Sequence, residues 1–200
     1  MEDIIKSIHE ITRKWVDMDY IKTKDIPNID LYMDQVTTFI DENLSKTKRF
    51  EDDKILTKTM INNYTKNDLL PPPTKKKYSK EHMLFLIFIY FFKHSLSIND
   101  IQNVLEPIAE SFYYKDKKRI NLESIYEEII NIQKNQYPEV EKDIEKKIEI
   151  AKNAFADVKN ADKDLLFLFS FISLINFENY MKKHIVEKLI DEYLNEEDEE

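Results

Sequence analysis

The sequence contains no glycine among its 200 residues. Glycine is the usual residue where a backbone needs a positive φ or must approach a ligand closely, so its absence excludes the phosphate-binding loops of P-loop and dinucleotide-binding proteins. It also argues against many tight hairpins, whereas the abundant leucine, isoleucine, lysine and glutamate favour helix. We therefore predict a mostly helical chain.

Cysteine is absent as well, which excludes disulfide bonds, thiolate zinc sites and a cysteine nucleophile. The four histidines are scattered along the chain, and none lies three or four residues from another, so we predict no metal site. Acidic pairs are expected on solvated helix faces in a chain with 39 aspartates and glutamates, and none has the apolar setting of a catalytic acid. We expect no cofactor and no enzyme activity.

Long hydrophobic runs are also missing. The two most apolar stretches, Met83–Phe92 and Leu165–Phe177, contain ten and thirteen residues, whereas about 18 to 20 are needed to cross a bilayer. Both stretches predict buried core helices, and we expect no membrane partner. The N-terminus lacks the basic and then apolar pattern of a signal peptide, so we expect a cytoplasmic protein.

The formal net charge of −9 is unevenly distributed. From Lys46 to Lys80, ten lysines or arginines stand against four acidic residues, a net charge of +6, while Glu196–Glu200 alone contributes −5. A basic middle within an acidic chain indicates that contact with an anionic partner such as nucleic acid would have to be local.

Apolar residues that recur every three or four positions predict a series of amphipathic helices. One helix is predicted over Ile4–Met18 and a second over Asp30–Leu44, with Asp34 and Gln35 as a satisfied buried polar pair in the second. From about Asn121 the pattern predicts two or three further helices.

One predicted helix near the C-terminal end carries a single narrow apolar stripe flanked by lysine and glutamate. Its members are Val140, Ile144, Ile148, Ala151, Phe155 and Val158. Such a stripe suits either a coiled-coil seam between two copies of the chain or packing within one chain.

Between these regions, local signals predict a short helix and an extended stretch. Thr57 can cap a helix that ends near Lys66, and Asn67-Asp68 supplies a turn without glycine. Pro71–Pro73 forbids helix, and Thr74–Tyr78 is predicted to be a basic, extended stretch that could form the chain's one short β-ribbon.

Two further helices are predicted after this stretch. Ser79 opens the first, which runs to His94. Ser97 opens the second, which is predicted to end near Leu105, before Pro107.

The short helix and the basic stretch suit DNA contact, because asparagine and lysine can reach base edges in a major groove while lysines in a neighbouring loop contact phosphate. The candidate DNA-binding residues are Lys58, Thr59, Asn62, Asn63, Tyr64, Lys66, Lys75, Lys76, Lys77 and Tyr78. Other roles are open for three groups of them. Lys75–Lys77 could be a solvated loop, Asn62 and Asn63 could bond to the backbone, and the two tyrosines could pack beneath the helix.

At these residues the sequence resembles the winged helix-turn-helix of the MerR class. Lys58–Lys66 resembles the recognition helix with its tyrosine, and Asp68–Pro72 resembles the turn usually written glycine, leucine, leucine, proline. Lys77–Ser79 resembles the basic-tyrosine end of the wing, while Leu84–Lys93 and Leu96–Ile101 resemble the two helices that follow.

Together with Ile29–Val36, the pattern resembles the bacterial domain-of-unknown-function family 1836, itself considered MerR-like, over roughly Asp25 to Pro107. The resemblance implies an all-α, multi-helix protein with at most one short β-ribbon. The expected divisions are an N-terminal helix and linker (1–29), a MerR-like helix-turn-helix domain (30–107) and a helical C-terminal region with an acidic tail (108–200).

The expected function is that of a DNA-binding transcriptional regulator that acts as a homodimer. Effectors that require cysteine are excluded, so any small-molecule signal would be organic, and the sequence does not identify one. The alternative is an adaptor that has kept the fold, lost contact with DNA and binds other proteins, which the net charge of −9 favours.

Overall fold

The computed structural model describes residues 1–16, 20–113, 120–158 and 162–195. Helices dominate these ranges, and two short strands pair antiparallel, so the predicted all-α class with one short ribbon is confirmed. The helices are α1 (Glu2–Val16), α2 (Met33–Leu44), α3 (Lys58–Lys66), α4 (Lys80–Phe92), α5 (Ile98–Ile108), α6 (Leu122–Asn135), α7 (Tyr137–Ala154) and α8 (Asp162–Tyr193). The strands are β1 (Leu31–Tyr32) and β2 (Lys77–Tyr78).

The first predicted helix corresponds to α1, and its expected last residue, Met18, lies outside the described residues, as does the acidic tail Glu196–Glu200. Among the helices that the structure describes, none has the combination of length and apolar character that crossing a membrane requires.

The chain divides into two compact units, and the first comprises Met1–Asp19 and Ile130–Ile185. Its core is formed by side chains of α7 and α8. Apolar side chains of α1 pack against this core. The buried members are Ile148, Ala151, Phe167 and Phe171, and the α1 residues are Ile4, Ile5 and Ile8.

The apolar stripe predicted on α7 is partly consumed by this core. Ile148 and Ala151, in the middle of the stripe, are buried within the chain, whereas Val140 is exposed. Phe155 and Val158 lie beyond the end of α7, so the prediction of one continuous helical stripe is wrong at this end. Packing within the chain therefore accounts for the middle of the stripe.

The prediction that the run Leu165–Phe177 is buried is also only partly right. Phe167 and Phe171 face the core of the unit, but Leu165, Phe169 and Phe177 are 66%, 66% and 65% exposed. The core of the unit lies on one side of this part of α8, so the side chains on its other side remain in solvent.

The second unit comprises Tyr20–Ile129 and Val186–Glu200, with α4 at its centre. Side chains all round this helix are buried, among them every residue of Met83–Ile87 and also Ile89. A helix that is apolar on all sides requires neighbours on all sides, and the predicted burial of this run is confirmed. Other buried side chains of the unit come from α2, α3, α5 and α6.

The short ribbon differs from its prediction in two respects. Leu31 pairs with Tyr78 and Tyr32 with Lys77, so the helix predicted from Asp30 begins only at Met33, because the preceding two residues bond to β2. The stretch predicted as extended from Thr74 instead turns tightly before it reaches β2.

Pro107 does not end α5 as predicted. The helix continues to Ile108, and Ala109–Tyr113 follows as a π-helix. Proline has no backbone N–H to donate to the residue four positions earlier, Asn103, and a wider helical turn is one way in which a chain accommodates such a break.

Candidate nucleic-acid interface

Helix α3 is bounded by local interactions that the sequence predicted. The hydroxyl of Thr57 accepts a hydrogen bond from the backbone N–H of Met60 at 3.2 Å, which caps the start of the helix. At the other end Asp68 adopts a φ of 56°. The N–H groups of Leu69 and Leu70 donate to the carbonyl of Tyr64 at 2.9 and 3.2 Å, so an aspartate serves where glycine commonly ends a helix.

The two sides of α3 differ in polarity. Ile61 and Tyr64 are buried on one side. The exposed residues on the other side are Lys58, Thr59, Asn62, Asn63 and Lys66, which fall within about 140° of arc on a helix of 3.6 residues per turn. Five of the ten candidate residues therefore share one solvent-facing surface, which we call the α3 face.

The asparagines of the α3 face are not occupied by helix capping. The side chains of Asn62 and Asn63 make no hydrogen bond to other residues that the structure describes. The helix-end bond at this position joins the backbone N–H of Asn67 to the carbonyl of Asn63 at 3.0 Å. Both side-chain amides can therefore donate to and accept from an external partner.

Tyr64 and Tyr78 are not on the surface, which corrects their assignment as direct DNA contacts. Tyr64 is 7% exposed and Tyr78 is 3% exposed. Burial raises the pKa of both phenols. The burial of both rings agrees with the alternative role considered for them, which is to pack beneath α3.

A tight turn presents two of the candidate lysines to solvent. The backbone N–H of Lys77 donates to the carbonyl of Thr74 at 3.0 Å, which closes the turn. Lys75 and Lys76 have φ angles of 51° and 63°, as in the type I′ turn, whose central positions glycine and asparagine usually fill. Left-handed backbone costs other residues about 1 kcal/mol or more each, so the ribbon holds both lysines at an exposed tip against a local backbone preference.

Lys77 lies in a different environment from its two neighbours. It is half-buried, and its Nζ is 5.1 Å from the centroid of the Tyr32 ring, within the range of a cation–π interaction. Tyr32 is exposed and was not among the predicted residues. Its partner Lys77 lies far along the sequence and becomes its neighbour only when β1 pairs with β2. No local pattern could therefore identify Tyr32 as part of this region.

One lysine of the α3 face is already paired with a carboxylate. Lys58 forms an ion pair with Asp34 at the start of α2, and both side chains are exposed. The prediction that Asp34 and Gln35 form a buried polar pair is therefore wrong, because both are exposed. Gln35 instead accepts a hydrogen bond from the backbone N–H of Tyr32 at 2.9 Å. Solvent screens an exposed ion pair strongly, so a phosphate can compete for Lys58.

His82 is a further residue of this region, and it was not among the candidate DNA-binding residues. It is buried, and its Nδ1 accepts a hydrogen bond from the backbone N–H of Ser79 at 3.0 Å, while the hydroxyl of Tyr113 lies 3.0 Å from Nε2. Burial lowers the pKa of His82, and this effect outweighs the opposite effect of the nearby Pro72 and Pro71 carbonyls and of the Glu81 charge.

His82 thus links the start of α4, at Ser79, to Tyr113. No group of three or more histidine, cysteine or acidic side chains suited to a metal ion occurs in the part of the chain that the structure describes.

The chain matches the family model described as "Domain of unknown function (DUF1836)" over residues 21–129. The match covers more than half of the chain, which therefore belongs to this family. It includes α2, α3, the ribbon, α4 and α5. Comparison with curated proteins and with solved structures gave no significant match.

Proposed function

We propose that this DUF1836-family protein is a DNA-binding transcriptional regulator, not an enzyme, and that it acts as a homodimer. In this proposal the α3 face enters a major groove, and the turn at Lys75 and Lys76 contacts the phosphate backbone. The observation that carries the proposal is that five polar side chains of α3 share one exposed face, in the same unit as a turn that exposes two lysines.

A MerR-like winged helix-turn-helix is the arrangement that we propose for this unit. The order of elements supports it, since α2 and α3 are followed by the ribbon and then by α4 and α5. In such an arrangement α3 is the recognition helix and the turn between Thr74 and Lys77 is the tip of the wing. Asn62 and Asn63 would read base edges, and the lysines would supply the charge that does not depend on sequence.

The net charge of −9 opposes the approach of DNA to most of the surface. Affinity would then depend on a few lysines, mainly Lys66, Lys75 and Lys76, because Lys58 pairs with Asp34. A dimer would compensate for the weak binding of one unit, since two linked half-sites raise the effective concentration of the second.

The second candidate is an adaptor for protein partners, which two observations favour. Lys58 faces a carboxylate, and Lys77 packs on Tyr32, so two of the expected phosphate ligands already have partners within the chain. An adaptor would bind its protein partners through the same unit, and its function would not depend on attraction to the charge of DNA.

The test is the affinity for random-sequence duplex DNA at several salt concentrations. Wild type should weaken steeply as salt rises. A variant with Lys75→Glu, Lys76→Glu and Lys77→Glu should lose most of the binding and reduce the slope of log affinity against log salt by about one for each phosphate contact removed. The matched control carries Lys6→Glu, Lys14→Glu and Lys146→Glu, which make the same change in net charge at exposed lysines of the first unit.

A regulator requires the first variant to bind far more weakly than the control. If wild type and both variants bind DNA equally weakly, the adaptor is the better explanation. If both variants lose binding equally, the effect comes from net charge alone, and the role assigned to the turn is wrong.

A further inference from the structure

One row of side chains on α8 is apolar and exposed along most of its length. At intervals of four residues the row contains Leu165, Phe169, Ser173, Phe177 and Met181. Its four large members are 66%, 66%, 65% and 44% exposed in chain order, and Ser173 is exposed as well. Rows of this spacing form the ridges by which one helix packs into the grooves of another. We call this row the α8 ridge.

The α8 ridge does not face the core of its own unit. Phe167 and Phe171 point into that core, where they pack with Ile148 and Ala151 of α7. At about 100° per residue, Phe169 is turned by about 160° from both Phe167 and Phe171. The core of the first unit therefore leaves the ridge uncovered.

The exposed apolar area on this side of α8 is large for a monomer. Ile172 and Tyr180 lie beside the ridge and are 55% and 65% exposed. Together with Leu165, Phe169 and Phe177 they present roughly 600 Å² of side-chain surface, given typical aromatic and aliphatic side-chain areas. This lies at the upper limit of the roughly 300–600 Å² measured for the largest patch on a typical monomer, and it is about three quarters of the roughly 800 Å² per partner in a standard interface.

The charge of this surface favours a second copy of the chain as its partner. The stretch from Leu165 to Phe177 contains no charged residue, so two copies can meet there without the repulsion that a net charge of −9 produces elsewhere. A charged partner would find no side chain of opposite charge to pair with on this stretch.

We propose that two copies of this chain associate through the α8 ridge, with the two helices crossing near Ser173. Ridges of four-residue spacing interdigitate when helices cross at about −50°. The smallest side chain of the ridge is Ser173, which allows the two backbones to approach most closely at that point. In a two-fold dimer the residue at the crossing meets its own counterpart, so Ser173 of each copy would lie beside Ser173 of the other.

The first experiment measures the mass of the full chain in solution by sedimentation over a wide range of concentration, without DNA. Wild type should be a dimer, and Phe169→Glu and Phe177→Glu should each shift it to monomer, because a charge would be buried in the interface. Phe50→Glu is the matched control, since Phe50 is an exposed aromatic residue of the second unit. Circular dichroism should show that all three variants keep their helical content.

The second experiment uses the absence of cysteine. Ser173→Cys should form a covalent dimer under mild oxidation, whereas Ser7→Cys, at an exposed serine of α1, should do so much more slowly. A wild type that stays monomeric, a dimer that survives Phe169→Glu, or equal cross-linking at the two serines would overturn the proposal. The inference rests on the homodimer of the proposed function, for which it assigns the interface. Both readouts omit DNA, so a failure of DNA binding leaves the inference intact.

Discussion

Helices α4 and α8 each contain a long apolar run, but they are covered to very different extents. The run in α4 is buried on nearly all sides, with Phe85, Leu86 and Ile87 fully enclosed. The run in α8 alternates between buried side chains, such as Phe167, and side chains exposed by about two-thirds, such as Phe169. Composition therefore shows that a helix can be buried, but the neighbours around it decide whether it is.

The packing around the two runs accounts for their different burial. The helix α4 lies in the middle of its unit, where α2, α3, α5 and α6 all contribute buried side chains. The corresponding part of α8 has the core of its unit on one side only. A run that is apolar all round but covered on one side leaves a surface that a second molecule can use.

The largest expected effect comes from removing a phenyl ring from each run. Phe85→Ala should lower the free energy of unfolding by about 3–5 kcal/mol, because it leaves a cavity in a closely packed core. Phe169→Ala should lower it by less than about 1 kcal/mol, since the ring is mostly in solvent. Urea titration of both variants measures the difference in the free energy of unfolding, at a protein concentration low enough to prevent association. Equal losses would mean that the two rings are equally packed.

The parts of the fold that were predicted correctly depend on neighbours in the sequence. The cap at Thr57, the turn at Asn67-Asp68 and the helix start at Ser79 each involve residues within six positions of one another. The shared face of α3 was predictable for the same reason, because helical periodicity alone places its residues together.

The parts that were missed depend on pairing between distant segments. The strand β1 exists because Leu31 and Tyr32 pair with β2 more than forty residues away, and a two-residue strand has no periodicity of its own. The positive φ angles of Lys75 and Lys76 are likewise imposed by the closed turn at this ribbon, since lysine does not favour them.

In the candidate site, the errors share this origin. The ion pair between Asp34 and Lys58 and the position of Lys77 over Tyr32 bring together residues from separate elements. The role of His82 depends on Tyr113, which lies 31 residues further along the chain. Spacing could identify the exposed polar residues of α3, but not the residues that hold them in place or compete for them.

The second prediction concerns the N-terminal end of α4 and its dependence on pH. Burial holds the pKa of His82 below that of an ordinary histidine, so the unfolded chain takes up the proton first as the pH falls below about 6.5. The stability of the fold should therefore decrease below that pH, with a slope of at most about 1.4 kcal/mol per pH unit from this group.

The control for this prediction is His82→Asn, which can keep an acceptor for the N–H of Ser79 but does not titrate. Denaturant unfolding at a series of pH values should show a steeper loss for wild type than for the variant between pH values of about 6.5 and 5. Parallel profiles would show that His82 is not the group responsible.

The smallest expected effect sharpens the contrast between the two sides of α8. On its covered side, Lys147 of α7 forms ion pairs with Asp143 and with Glu178 of α8. The hydrogen bond from Lys147, together with a weaker contribution from Lys182, holds the pKa of Glu178 at about 2. The stabilisation is present above the ordinary glutamate pKa of 4.5 and is lost as the pH falls toward 2.

Lys147→Met keeps the apolar stem and removes the charge, so it should cost about 1 kcal/mol at neutral pH, given the partial solvent screening of Glu178. The loss should shrink as Glu178 is protonated in acid. Lys152→Met is the matched control, because Lys152 pairs with Glu149 on the same helix and such pairs contribute only about 0.3–0.5 kcal/mol. If the two variants lose the same stability at neutral pH, the ion pair does not hold α8 to α7, and apolar contact alone distinguishes the covered side of the helix from the exposed one.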